Sequence, residues 1–456
     1  MAEQNFDLVI LGAGSGGYSA ALRAAQLGMS VALIERDKLG GTCLHRGCIP
    51  TKALLHSAEV ADTTRDAGAY GIQATLQGID MTAVNKYRDS IIDKLYKGLT
   101  GLVGGKAITY VTGEGKLTGP KTVSVGSDAY TGKNVLLATG SNTKTLGIEI
   151  GGRVITSDQA LQMDWVPKRV AILGGGVIGV EFASIWRSFG AEVVIVEGLD
   201  RLVPNEEPVI SKALERAYRK RGIETKLGSK FKTVTQTPNS VEVELENGEK
   251  VSADILLVAV GRGPNATGFG FEEQGIQMDR GWVLTNDRLQ TNLPGVYAVG
   301  DIVPGLQLAH RGFMQGIFVA EELAGLKPKR VEEMGIPRVT YCEPEIASIG
   351  LTEAQAKEKF GNDVSVYEYN LAGNGKSNIL GTTGLIKLIR QNNGPVVGFH
   401  MIGSRAGEQI GEAQLIVNWE AYPEDVAPLV HAHPTMNEAI GEAHLALAGK
   451  PLHAHA

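Results

Sequence analysis

Cys43 and Cys48 stand with four residues between them in Gly-Gly-Thr-Cys-Leu-His-Arg-Gly-Cys-Ile-Pro-Thr-Lys, residues 40–52. Three chemistries suit such a pair. Structural zinc wants about four ligands, and the third cysteine, Cys342, stands alone, so zinc fits poorly even with His45 between the thiols. Two packed, inert thiols are the ordinary fate of a random pair. A redox dithiol is the third reading. Cys48-Ile-Pro-Thr-Lys has the form of a helix start, with Pro50 in the first turn. A helix N-terminus favours the thiolate, the reactive form of the side chain. Cys342, in Tyr-Cys-Glu-Pro-Glu, reads as a packed residue.

A second chemical candidate lies near the C-terminus, in His-Ala-His-Pro-Thr-Met-Asn-Glu-Ala-Ile-Gly, residues 431–441. Pro434 suits the first turn of a helix running to about residue 448, which puts His433 just before it. Glu438 could turn back to orient the imidazole, and a His–Glu pair is a general-base arrangement. Most of the chain's nine histidines have no such argument, and His453 and His455 fall in a tail expected to fray.

The elements that would position these groups are written twice. Residues 6–35 read as an apolar strand, a glycine turn at Gly12, Gly14 and Gly17, a helix, and a strand ending at Glu35. Residues 170–198 repeat this with Gly174, Gly176, Gly179 and Glu197. In both copies the acid lies 18 residues past the third glycine, and the copies are offset by 162 residues. Spacing thus reveals an internal duplication of a βαβ unit. In such a unit the first glycine makes the tight turn, the second lets backbone approach a pyrophosphate, and the third lets helix pack on strand. The acid accepts hydrogen bonds from a ribose 2′-hydroxyl and repels a 2′-phosphate, so Glu197 argues for NAD over NADP. One such glycine pattern is weak; two in matched contexts imply two dinucleotides. Distant closing strands are expected at 134–141 and 255–265, and a third, 295–301, ends in Gly-Asp.

Amphipathic helices are expected at about 51–66, 82–103 and 206–221, and hairpin strands at 231–245. After Pro337 short strands (338–350, 364–370, 384–403) mix with helices at about 352–360, 405–420 and 435–448, a separate α+β domain.

Composition limits the rest. The chain has 456 residues, enough for about three domains. Its 59 glycines are nearly twice the average share of ~7%, with no collagen period. A net charge of −6 gives no general attraction to nucleic acid or anionic membrane. No apolar run approaches the ~20 residues of a membrane span. No Lys or Arg precedes Arg23, unlike a secretory or transit segment. Three cysteines in so long a chain exclude a disulfide scaffold, and a cytoplasmic location is expected.

Together, the two glycine turns, the Cys43–Cys48 segment and the His-Pro-Thr stretch make the chain resemble the flavin-dependent pyridine nucleotide–disulfide oxidoreductases, and the dihydrolipoyl dehydrogenases among them. The resemblance runs from Gly12 to the C-terminal histidines. The family's redox segment commonly reads CLNVGCIPSK; His45, Arg46 and Thr51 depart from it and leave both thiols and the lysine in place. The resemblance implies an α/β fold with two Rossmann-like domains, the NAD domain inserted in the FAD domain, and a C-terminal α+β dimerisation domain. Its boundaries would be 1–145 (FAD), 146–265 (NAD), 266–335 (a central domain completing the FAD site) and 336–456 (interface). FAD would be held by Gly12, Gly14, Gly17, Glu35, Gly41, Thr42, Lys52, Gly113, Thr139, Gly140, Ser141, Asp301 and Ala309. NAD would be held by Gly174, Gly176, Val177, Ile178, Gly179, Glu197 and Gly261. Cys43 would exchange with substrate, Cys48 would face the flavin, and Lys52 would pair with Glu181 beside it. His433, oriented by Glu438, would serve the disulfide of the other subunit of a homodimer. No metal is implied.

The implied reaction is oxidation of dihydrolipoamide by NAD. No lipoyl-type domain precedes Gly12, so the lipoyl group would come on a partner: the lipoyl domain of a 2-oxo acid dehydrogenase acyltransferase, or a glycine cleavage carrier protein. The rival activities are reduction of another low-molecular-weight disulfide and a non-catalytic scaffold role. Mercuric reductases and high-mass thioredoxin reductases carry C-terminal cysteines, and none follows Cys342. Glutathione reductases place a basic residue near the second acid, where this chain has Gly198 and Leu199.

Overall fold

The computed structural model describes residues 3–105 and 107–453. Its first sheet is built on the strand Glu3–Leu11, flanked by Val31–Glu35 and Asp128–Leu137 in parallel register, Ile10 opposite both Leu33 and Leu136. Leu8, Val9 and Ile10 have no exposed surface. A continuous apolar run of this kind is what a strand buried on both faces requires. Ile108–Thr112 extends one edge, and Val296–Ala298 lies beside the C-terminal half of Asp128–Leu137.

The second sheet repeats this plan. Arg169–Leu173 is central, with Glu192–Val196 and Ile255–Val258 on either side, then Ile223–Lys226 and Val154–Ile155 at the edges, all parallel. In both sheets the first strand of the unit is central, the second and third lie on one side, and the expected closing strand lies on the other. The duplication therefore covers four parallel strands in each sheet, beyond the single βαβ unit that spacing revealed. Residues 231–236, 241–245 and 250–253 form an antiparallel sheet beside the second unit. Residues 338–403 contribute a five-stranded antiparallel sheet in the order 338–340, 345–350, 396–403, 385–391, 364–370. Helices Ala406–Asn418 and Glu438–Leu447 pack on it through Ala413, Ile440 and Ala443. The chain is thus an α/β protein with two Rossmann-like units and a C-terminal α+β domain.

Two packings place the chemistry. Helix Ser15–Gln26 lies so close to helix Ala309–Leu323 that a Cβ on Gly316 would stand 2.2 Å from the Gly16 carbonyl oxygen. That contact locks the segment carrying Asp301 and Ala309 against the first glycine turn, and it accounts for glycines that no nucleotide turn uses. Helix Cys48–Asp66 packs on helix Val177–Phe189, burying Leu54 and Ala58 in the core of the second unit. The thiol segment is thereby fixed between the two sheets.

One sequence expectation fails locally. The last helix begins at Glu438, and Pro434 lies outside it, after a cis His433–Pro434 bond. Side chains close the intervening turn. The Thr435 N–H donates to Glu438 Oε2 at 2.8 Å, the Glu438 N–H donates to Thr435 Oγ1 at 3.3 Å, and the Thr435 hydroxyl donates to the Ala432 carbonyl at 2.7 Å. This reciprocal bonding of a threonine and a glutamate three residues on closes the turn that leads into the helix.

Candidate active site

Both glycine turns open onto one cleft of about 1510 Å³, whose wall also carries Cys43, Cys48, Lys52 and Glu181. Single drug-sized ligands occupy pockets of ~300–1,000 Å³, so the space suits more than one large ligand. The turns are alike in detail. Gly12 and Gly174 have φ of 101° and 110°, and a Cβ on either would meet a carbonyl oxygen, that of Ala138 or Ala259, at 2.4 Å. Around Gly176 the space is open, and at Gly14 the nearest atom to a Cβ, 4.0 Å away, is another glycine's Cα. The second glycine of each turn therefore leaves room at a helix N-terminus, where unpaired N–H groups suit a pyrophosphate.

Gly17 and Gly179 are not on the cleft wall. A Cβ there would lie 1.8 Å and 1.9 Å from the carbonyl oxygens of Gly12 and Gly174. They make the turns possible, and their part in holding the cofactors is to let each helix start close to its strand.

The two acids also match. Glu35 accepts the N–H groups of Ala13 (2.7 Å) and Asp37 (3.0 Å). Glu197 accepts those of Gly175 (2.6 Å) and Leu199 (2.8 Å). Each carboxylate brackets its own turn, a task that spacing alone did not reveal. A carboxylate offers about four acceptor positions, which leaves two free for a ribose.

The thiols lie at the junction of the units. Cys43 is in the short helix Gly41–Arg46, and Cys48 opens the helix Cys48–Asp66, as the sequence suggested. Both are free and partly buried. The Cys43 S–H donating to the Cys48 sulfur holds the Cys48 thiol down at about 7, aided by the Lys52 ammonium and opposed by burial and Glu181. The same bond pushes the Cys43 thiol up. The bond between the thiols and the Lys52 ammonium thus both favour ionisation on the Cys48 side. Cys342 is 1% exposed, its S–H donates to the Pro344 carbonyl at 3.2 Å, and burial raises its pKa: it is the packed residue it was expected to be.

Lys52 Nζ donates to both carboxylate oxygens of Glu181, at 3.0 Å and 2.9 Å. Burial works against the ammonium, but Glu181 outweighs it and the lysine's pKa is raised. Tyr341 adds two contacts: its N–H donates to Glu181 Oε1 at 3.0 Å, and its ring lies 4.8 Å from Lys52 Nζ.

Gly41, Thr42, Gly113, Thr139 and Gly140 line the first half of the cleft. So do Ser141, Asp301 and Ala309, with Ser141 Oγ donating to Asp301 Oδ2 at 2.7 Å. Val177, Ile178 and Gly261 line the second half. Sequence reasoning missed Arg262, whose guanidinium donates to Ser141 Oγ at 2.8 Å and to the Ser141 carbonyl at 2.7 Å. It also missed Asn265, whose carbonyl accepts the Thr139 hydroxyl at 2.6 Å. The one available signal was their place in Gly-Arg-Gly-Pro-Asn, directly after the second closing strand.

His433 and Glu438 are absent from the cleft wall. His433 Nδ1 bonds Glu438 Oε1 at 2.8 Å, and the imidazole is 78% exposed on the C-terminal domain. Among the described residues, no His/Cys/Asp/Glu group is placed to hold a metal, and no helix is long and apolar enough to cross a membrane.

Two dinucleotide turns and a polarised dithiol in one cleft define a pyridine nucleotide-linked thiol–disulfide enzyme. The chain belongs to the pyridine nucleotide-disulphide oxidoreductase family, which it matches over residues 6–316, with that family's dimerisation domain over 336–444. Among its relatives is a dihydrolipoyl dehydrogenase of Bacillus subtilis, 40% identical over 98% of this chain and 99% of the other. A mitochondrial dihydrolipoyl dehydrogenase of Pisum sativum is 38% identical over 98% and 92%. A leghemoglobin reductase of Glycine max is 37% identical over 98% and 88%. The fold is shared with LpdA from Mycobacterium tuberculosis, with a TM-score of 0.90 at 23% identity, covering 98% of this chain and 100% of the other.

Proposed function

We propose that the chain oxidises protein-bound dihydrolipoamide to lipoamide and passes the electron pair to NAD. The observation that carries this reading is the Cys43–Cys48 thiol pair beside the Lys52–Glu181 ion pair, in the cleft that both glycine turns share. The relatives named dihydrolipoyl dehydrogenase support the choice of substrate.

FAD fits the first half of the cleft and NAD the second. The room at Gly14 and Gly176 suits the pyrophosphates, and the free acceptor positions on Glu35 and Glu197 suit ribose hydroxyls. At Glu197 a 2′-phosphate would meet a carboxylate, which favours NAD over NADP. Ser141 and Asp301, held by Arg262, would receive the FAD ribityl hydroxyls. Bound FAD supplies the two-electron relay between thiols and nicotinamide.

The chain's own groups handle the thiols and the protons. With Cys43 and Cys48 joined as a disulfide, a substrate thiol gives its proton to the Nε2 atom of His433 of the partner subunit. The resulting thiolate attacks Cys43 Sγ; that S–S bond forms as the Cys43–Cys48 bond breaks, and Cys48 leaves as thiolate. A thiol of lower pKa leaves faster, and the Lys52 ammonium beside Cys48 favours its departure as thiolate. The substrate's second thiol then attacks the sulfur bonded to Cys43, closing lipoamide as the bond to Cys43 breaks, and its proton passes to the expelled Cys43. Lys52 holds positive charge beside the Cys48 thiolate, and Glu181 keeps that lysine in place. His433 lies outside its own chain's cleft, so the reaction needs a homodimer, with the matched dimerisation domain at the interface. The lipoyl group arrives on a carrier protein, either the acyltransferase of a 2-oxo acid dehydrogenase complex or the glycine cleavage carrier. Only three cysteines in so long a chain, two of them the redox pair, suit a reducing cytoplasm.

The purified protein should be yellow and should oxidise dihydrolipoamide with NAD much faster than with NADP. Two-electron reduction should give a long-wavelength thiolate-to-flavin band that Cys48→Ser abolishes. A protein that takes up FAD and ignores dihydrolipoamide while reducing another disulfide would overturn the substrate assignment.

A further inference from the structure

The loop that carries His433 is tied to the body of its domain by a second acid. Glu412, on the helix Ala406–Asn418, holds both ends of that loop. Its Oε1 bonds His431 Nε2 at 2.7 Å, and its Oε2 accepts from Asn437 Nδ2 at 2.8 Å. His431 is seated against the last helix: a Cβ on Gly441 would stand 2.6 Å from His431 Nδ1, so only glycine admits the ring. At mid-loop the buried Asn374 donates to the Thr435 carbonyl at 3.0 Å. His433 itself makes one contact, with Glu438, and is otherwise exposed.

We infer that Glu412 is a positioning residue for His433. It fixes the two ends of the 431–437 loop, and so sets where the imidazole presents itself to the thiols it serves. This rests on the reading of His433 as the base. The geometry calls for two acceptor oxygens at 412. Two donors approach its two oxygens from opposite ends of a seven-residue loop, and a carboxylate accepts at both. An amide offers one oxygen, so Gln can keep only one tie in the present geometry. Ala keeps neither and frees both ends. A misplacement of about 1 Å at a reacting group costs on the order of 10²-fold in rate.

The test uses the FAD-loaded dimer in two assays. One is oxidation of dihydrolipoamide by NAD, which needs the base. The other is NADH-driven reduction of a dye that takes electrons from the flavin, which does not. Glu412→Ala should lower the dihydrolipoamide kcat by roughly 10- to 100-fold, leaving the KM for NAD and the dye rate unchanged. Glu412→Gln should fall between Ala and the parent. An unchanged dihydrolipoamide kcat in Glu412→Ala would overturn the inference. So would an equal loss in both assays, which would mark Glu412 as a support of the whole fold. His433→Gln separates the two levels of the argument. If it leaves dihydrolipoamide oxidation intact, the base reading fails; if it abolishes oxidation while Glu412→Ala does not affect it, only the role of Glu412 fails.

Discussion

Replacing Cys43 by Ala removes the S–H that contributes most to the low pKa of Cys48. Lys52 still favours the thiolate in the variant, while burial and Glu181 oppose it, so the loss of the S–H bond should raise the Cys48 pKa. Each tenfold loss of reactive thiolate at a pH below the midpoint corresponds to about 1.4 kcal/mol. The assay is the pH dependence of iodoacetamide alkylation of the reduced protein, with mass-spectrometric assignment of the labelled cysteine. Cys342 is buried and should stay silent. In the variant the midpoint for Cys48 should move upward by about one pH unit or more, with roughly tenfold slower alkylation below it. The protons of the parent pair leave in steps that belong to both thiols, so the comparison is between the first step of the pair and the single step of the variant. An unchanged midpoint in Cys43→Ala would refute the argument and place the stabilisation on Lys52 and the helix start.

Two further perturbations read other parts of the molecule. Gly179→Ala should prevent the second glycine turn from closing, since its Cβ would overlap the Gly174 carbonyl; the expected product is a yellow protein that retains FAD and no longer binds NAD by calorimetry, and retained NAD affinity would contradict the packing role. His444 is fully buried and held neutral, at about 4 against 6.5 in the unfolded chain. Its contribution to stability is full above pH 6.5 and is lost as pH falls through 4, by ~3 kcal/mol, so urea unfolding should show a steeper loss between pH 6.5 and 4 for the parent than for His444→Gln, and equal slopes would refute the burial argument.

What the sequence revealed was local. The glycine turns, the acids and the thiol pair each sit within one strand–turn–helix unit, where a fixed spacing translates into a fixed position. What it hid depends on distant residues meeting. Arg262 reaches Ser141 across 121 residues of chain, and Tyr341 reaches Glu181 across 160. No periodicity marks either pair. The Lys52–Glu181 pair, 129 residues apart, was anticipated only through family resemblance. The start of the last helix was misplaced because Pro434 is a good first-turn residue in isolation. The reciprocal Thr435–Glu438 bonds, which decide the matter, compete with it only in the folded chain. The two acids were read as ribose ligands, and their bonds to Ala13, Asp37, Gly175 and Leu199 show that they also hold the turns. Replacing Glu197 therefore disturbs the turn as well as the ribose contact, and weaker NAD use in such a variant is not a clean measure of either.

The division of the chemistry between two surfaces follows from what each side needs. The thiols need a dry, polarised setting: one S–H aimed at its neighbour and a lysine held by a buried acid, all anchored where helix Cys48–Asp66 crosses the second nucleotide unit. In the proposed mechanism the base comes from elsewhere: His433, beside Glu438 on the C-terminal domain, lies outside its own chain's cleft. On that proposal a second subunit brings it to the thiols, while its own loop, tied at both ends by Glu412, sets its geometry. The dimer is then part of the proposed active site, and dilution below the dimer dissociation constant should abolish thiol oxidation before it abolishes NADH-driven dye reduction.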